Sequence, residues 1–139
     1  MRQKRHDIDK ITMGRILICI VMVLVCNVSL SQEKRALLVG ISDYNQAVQV
    51  PWNNIHGAND VALLLPTLKK QGFRTITLRN ESATAQNIRK NLKSLAETCH
   101  QGDTVFLHFS CHGQPFEDMD GDEADGWDES LVPYDAEKV

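Results

Sequence analysis

Two short stretches of this chain, Arg35–Ile41 and Thr104–Ser110, are apolar almost from end to end. Neither alternates polar with apolar residues, so neither suits a sheet with one wet face. Runs of this length and kind read as strands buried on both sides, which is the habit of parallel sheets. Arg74–Leu78 lies between them, alternates, and is rich in β-branched residues, so it reads as a further strand. Two helical periods separate the three. The order β-α-β-α-β with short connections predicts an α/β fold, a parallel sheet flanked by helices. In such sheets function collects beyond the carboxyl ends of the strands. Here those ends lead into the loop Ser42–His56 and into everything after Ser110.

The first helix carries Val61, Leu64, Leu65 and Leu68 at helical spacing, with Asn59 or Asp60 as expected N-cap and Gly72 as C′ residue. Pro66 inside it removes one backbone hydrogen bond, so a kink or a distorted second half is expected. The second helix is expected to be capped by Ser82 or Thr84 and to bury Ile88, Leu92, Leu95 and Ala96.

Charge divides the chain unevenly. Residues 1–31 hold five basic and two acidic residues; residues 117–139 hold one basic and ten acidic. The net charge of −3 argues against electrostatic binding of nucleic acid. Arg2, Lys4, Arg5, Lys10 and Arg15 precede the apolar run Ile16–Cys26, and small polar residues follow. That is the layout of a signal peptide cleaved near Ser31, giving an exported protein. The alternative is a membrane anchor over residues 16–30, although 11 apolar residues fall short of the roughly 20 that span a bilayer. Either way the membrane is met only through this segment. Cleavage leaves Cys99 and Cys111, which permit one disulfide.

The chemistry follows the third strand, at Ser110-Cys111-His112-Gly113. An imidazole at a strand's carboxyl end is well placed as a general base. Gly113 lets backbone approach a ligand and offers an unhindered N–H. His108, within the strand, reads as packed and hydrogen-bonded. Next comes the acidic stretch Glu117–Glu129, whose carboxylates repel one another unless cations share them. Asp118, Asp120, Asp122 and Glu129 fall at EF-hand loop positions, but Glu123 stands where that loop needs Gly.

The stretch from Phe109 to Asp135, with Ala36–Ile41 and Gly57–Val61, closely resembles the metacaspases and bacterial caspase-like peptidases. The resemblance implies a caspase-like fold and a cysteine endopeptidase acting on protein or peptide substrates, with a Cys–His dyad and no organic cofactor. His112 matches the catalytic His, and the Gly113 N–H matches an oxyanion-hole donor. Asp60 matches an Asp that binds the Arg or Lys side chain of the substrate. Asp128 matches one carboxylate of an activating calcium site. In the family the nucleophile follows a fourth strand, which would lie beyond Val139. Residues 32–139 therefore read as the His-bearing part of a peptidase domain. The other reading is a non-catalytic remnant, or a module binding calcium or a partner through residues 117–129.

Overall fold

A computed structural model describes residues 32–138; the signal segment expected over residues 1–31 lies outside them. Strand β1 (Lys34–Gly40) leads through a long loop to helix α1 (Gly57–Lys70). Strand β2 (Arg74–Arg79), a short 3-10 turn and helix α2 (Ala85–Thr98) follow. Strand β3 (Thr104–Ser110) comes next, and then a hairpin of β4 (Gly113–Glu117) and β5 (Trp127–Leu131). The first three strands form a parallel sheet in the order β2-β1-β3, and the hairpin forms a separate antiparallel pair. The expected α/β architecture is therefore present.

β1 is the middle strand, and it is the one buried on both faces. Ala36 and Leu38 pack with Val61 and Leu68 of α1. Leu37, Val39 and Ile41 point the other way and pack with Ile88 and Leu95 of α2. Leu37, Leu38, Val39 and Ile41 are fully buried, each worth roughly 1.5–3 kcal/mol of transfer free energy.

β3 departs from its expected double cover. Val105 and Leu107 are 42% and 48% exposed, because β3 is a sheet edge here and α2 lies over β1. The β3 residues of opposite parity do find cover, since Phe106 packs on the α1 core. His108 is half-buried, but its Nε2 has no hydrogen-bond partner among the described residues, so the expected bond is missing.

The helices show three further departures. α1 begins at Gly57, with His56 as its N-cap residue, so Asn59 and Asp60 lie inside its first turn and neither is the cap. The hydroxyl of Ser42, at the end of β1, accepts the Ala58 N–H at 3.0 Å and supplies the missing cap from another part of the chain. Pro66 does not interrupt α1; it sits on the exposed side and the helix runs on to Lys70, with Gly72 following as expected. In α2, Thr84 is the cap, taking the Asn87 N–H at 3.2 Å, while Ala96 is exposed.

The amino end of the sheet is tied by charge. The Asp103 carboxylate accepts N–H bonds from Glu33 and His100 at 2.8 and 3.0 Å, and Arg35 pairs with Glu33 at 2.7 Å. The His100 amide, then that of Glu33, holds the Asp103 carboxyl below its usual range. Cys99, at the end of α2, and Cys111, just past β3, are both free. The seven residues of β3 lie between them, about 23 Å of strand against the ~7 Å a disulfide tolerates.

The tightest joint is between α1 and the strand ends. A Cβ on Gly57 would collide with the Ser110 carbonyl oxygen and lie 2.8 Å from that of Ile41. Both obstacles are backbone and cannot rotate away. Gly57→Ala should therefore destabilise the fold by about 1–3 kcal/mol or more, measured by urea unfolding. An unchanged midpoint would show that α1 can withdraw freely from the strands.

Candidate active site

His112 sits two residues past β3, between the parallel sheet and the hairpin. Its ring packs on two aromatic rings of the β1–α1 loop, 5.2 Å from that of Tyr44 and 5.1 Å from that of Trp52. His112 Nε2 is 2.9 Å from the Asn53 carbonyl oxygen. A carbonyl only accepts, so the neutral ring carries its proton on Nε2 and leaves Nδ1 as the base.

The backbone on either side is equally constrained. The His112 N–H donates to the Tyr44 hydroxyl at 2.8 Å, and that hydroxyl donates to the Val132 carbonyl at 3.3 Å. Val132 returns its own N–H to the His112 carbonyl at 2.9 Å. His112 and Val132 thus face each other as a bonded pair. The next pair in register, Gly113 with Leu131, is then of the non-bonded kind. The Gly113 N–H consequently points away from β5, free for a ligand. Little space around Gly113 is taken by the chain itself: a Cβ there would lie 3.5 Å from the Ser130 carbonyl oxygen, an ordinary contact.

Asp60 reaches the same end of the sheet. Its carboxylate accepts the Ser110 hydroxyl at 2.5 Å, two residues before His112, and it remains exposed to solvent. The structure therefore brings together His112, Gly113 and Asp60. Ser110, Tyr44, Trp52 and Asn53 join them unforeseen. The loop Ser42–His56 had the right address, but nothing in its composition marked Tyr44 or the Asn53 carbonyl.

Neither described thiol is a prepared nucleophile. Cys111 packs against the α2-side core, and burial pushes its thiol up, only partly offset by the Val132 N–H. Cys99 lies at the opposite end of β3.

Asp128 lies apart from this group, paired with Phe116 on the hairpin, three residue steps or about 10 Å of strand from Gly113. The acidic stretch is not one long loop, because its two ends are strands β4 and β5 and only residues 118–126 connect them. Gly121 and Gly126 turn the chain there with φ of +79° and +78°. Asp118 organises the connection, accepting the N–H groups of Asp120, Gly121 and Glu123 at 3.1, 2.7 and 3.1 Å. Those donors, Gly121 first and Glu123 next, hold its carboxyl below the usual range. Asp118, Asp122 and Asp128 bring one oxygen each within 4.8 Å of one another. Asp120, Asp125 and Glu129 are outside that group. The arrangement is not that of an EF-hand, since Glu129 is a β5 residue and no helix enters the loop.

The parallel sheet flanked by helices is the fold expected of a caspase-like α/β domain. The match to the metacaspase, peptidase C14 domain model covers residues 34–139, and the chain belongs to that family. It is 33% identical over 114 residues to metacaspase-1 of Schizosaccharomyces pombe, covering 74% of this chain and 26% of that protein. It is 35% identical over 112 residues to metacaspase-2 of Arabidopsis thaliana, again covering 74% of this chain and 26% of that protein. The chain thus spans about a quarter of the length of these relatives. A Geobacter sulfurreducens protein of known structure shares the fold with a TM-score of 0.65 and 24% identity, over 76% of this chain and 41% of that one.

The Asp118 bonds carry a pH dependence of known sign. Its folded pKa is lowered, so its contribution is complete above the unfolded value and is lost as pH falls through the folded one. Trp127 emission should report loss of loop order below about pH 4. Asp118→Ala should remove that transition; an acid transition that survives the substitution would assign it elsewhere.

Proposed function

We propose that this chain carries the general base, an oxyanion donor and the substrate-binding carboxylate of a cysteine endopeptidase that cleaves after Arg or Lys. The observation that carries the reading is the orientation of His112. Its Nε2 is held by the Asn53 carbonyl, so Nδ1 is the free acceptor. In the reaction, His112 takes the proton of a thiol supplied from outside the described residues. The thiolate attacks the scissile carbonyl, and the Gly113 N–H receives the developing oxyanion. His112 then returns the proton to the leaving amine, and water cleaves the thioester. Asp60, exposed at the same end of the sheet, offers a carboxylate to the Arg or Lys side chain of the substrate. The basic and apolar residues at the amino end support export of the protein before it acts.

A form of the protein that also carries the nucleophile should cleave peptides after Arg and Lys. His112→Ala should abolish turnover through kcat, because the imidazole acts in the transition state. Asp60→Asn keeps the size and the bond from Ser110 but loses the charge, so it should raise KM for basic substrates. Equal cleavage after basic and neutral residues in wild type and Asp60→Asn would remove Asp60 from specificity. Absence of any peptidase activity in such a form would favour the non-catalytic reading.

We propose further that the hairpin connection binds calcium. Asp118, Asp122 and Asp128 form a convergent set of hard oxygen donors, the chemistry that ion prefers. Bound calcium would neutralise their repulsion and hold the connection closed. Affinity in the ~10⁻⁴–10⁻³ M range of extracellular modules is expected. Trp127, whose backbone N–H donates to the Asp125 carboxylate and whose neighbour is Asp128, should report binding by fluorescence. Asp128→Ala should abolish the response, and magnesium should give much less. A flat titration through that range would leave a solvated acidic turn.

A further inference from the structure

We propose that Tyr44 is the positioning residue of the site, acting through its hydroxyl on the backbone of His112; the inference rests on the peptidase reading above. Tyr44 is 3% exposed, and its ring belongs to the core between the sheet and α2. Its own backbone is fixed as well, the Tyr44 N–H donating to the Asn54 side-chain oxygen at 3.0 Å. The hydroxyl stands in the ladder between His112 and Val132. One bond of that pair is direct, from the Val132 N–H to the His112 carbonyl. The other passes through the phenol, from the His112 N–H to the Tyr44 oxygen and from the Tyr44 O–H to the Val132 carbonyl.

The consequence is geometric. In a plain antiparallel pair the two strands would close to direct contact at this point. The inserted oxygen holds them apart at the residue that carries the imidazole, just where the chain leaves the parallel sheet for the hairpin. Burial pushes the Tyr44 phenol up to about 12, so the hydroxyl keeps its proton and both bonds at any working pH. The ring of the same residue packs 5.2 Å from the imidazole. A single side chain therefore sets both the backbone from which the His112 ring springs and one wall against which it rests. The alignment of Nε2 with the Asn53 carbonyl, and so the choice of Nδ1 as base, depends on both.

Tyr44→Phe keeps the ring and deletes the hydroxyl. In a form that also carries the nucleophile it should lower kcat ~10- to 100-fold with KM little changed, the size of effect that small misplacements of a catalytic group produce. Thr98→Val deletes a hydroxyl at the far end of α2, where it bonds the Ser94 carbonyl, and as the control should leave kcat at the wild-type value. Long-range nitrogen–proton NMR on the chain itself reads the His112 tautomer without any need for activity. Wild type should show a single form protonated on Nε2, and Tyr44→Phe a mixture. If Tyr44→Phe does not fold, wild type still decides: a slowly exchanging Tyr44 hydroxyl proton with a cross-peak to the His112 amide is required. An unchanged tautomer in folded Tyr44→Phe, an unchanged kcat, or no such cross-peak overturns the proposal. An inactive wild type with the tautomer shift intact would instead overturn the peptidase reading alone.

Discussion

The backbone of α1 meets the ends of β1 and β3 so closely that no side chain fits between them. Gly57 faces the carbonyls of Ser110 and Ile41, and a Cβ on Gly40 would lie 2.6 Å from Val61 Cγ2. Two residues without side chains, on different elements, are needed for this approach. The approach sets where the first turn of α1 stands, and with it the distance from Asp60 to Ser110. It also puts the Ala58 N–H within reach of the Ser42 hydroxyl, so the helix is capped from the start of the loop that leaves β1. The helix start, the carboxylate and the exit of β3 are thus one rigid joint.

The site gathers around that joint from separate directions. β3 delivers His112 and Gly113, α1 delivers Asp60, and the β1–α1 loop delivers Tyr44, Trp52 and Asn53. The terminal segment closes the set. Beyond Val132, the Tyr134 N–H bonds the Ala83 carbonyl at 3.0 Å, and Asp135 accepts the Ala85 N–H at 2.8 Å at the start of α2. The residues after the hairpin are therefore part of the core rather than a tail. Through Val132 they hold the His112 backbone from the far side.

The acidic connection follows a different logic. Its carboxylates repel one another, and no lysine or arginine lies between Glu117 and Glu137 to neutralise them. Backbone amides do part of that work, because Asp118 gathers three N–H groups and draws the turn into shape. Asp122 and Asp128 each bring an oxygen near it, and among the described residues no ion pair reaches either. The order of the turn thus rests on amide dipoles alone, unless a cation joins them.

By itself the sequence determined what depends on near neighbours. The continuous apolar runs dictated β1 and β3 as strands, although only β1 has both faces buried and Val105 and Leu107 of β3 stay exposed. Helical spacing placed Val61, Leu68, Ile88 and Leu95 correctly, and Thr84 was legible as a cap because its bond spans only three residues. His112 was legible because a polar residue at the carboxyl end of an apolar strand has nowhere to hide. The tertiary structure decided whatever needed a distant partner. Ser42 caps a helix 16 residues away, Asn53 meets His112 across 59 residues, and Tyr44 reaches Val132 across 88. Asp60 looked like a cap because its type suits one, and it lost that place when Ser42 of the β1–α1 loop supplied a hydroxyl instead. Local pattern reports the propensity of a segment. Which donor meets which acceptor is settled only when the packing of Gly40 and Gly57 has fixed where each segment lies.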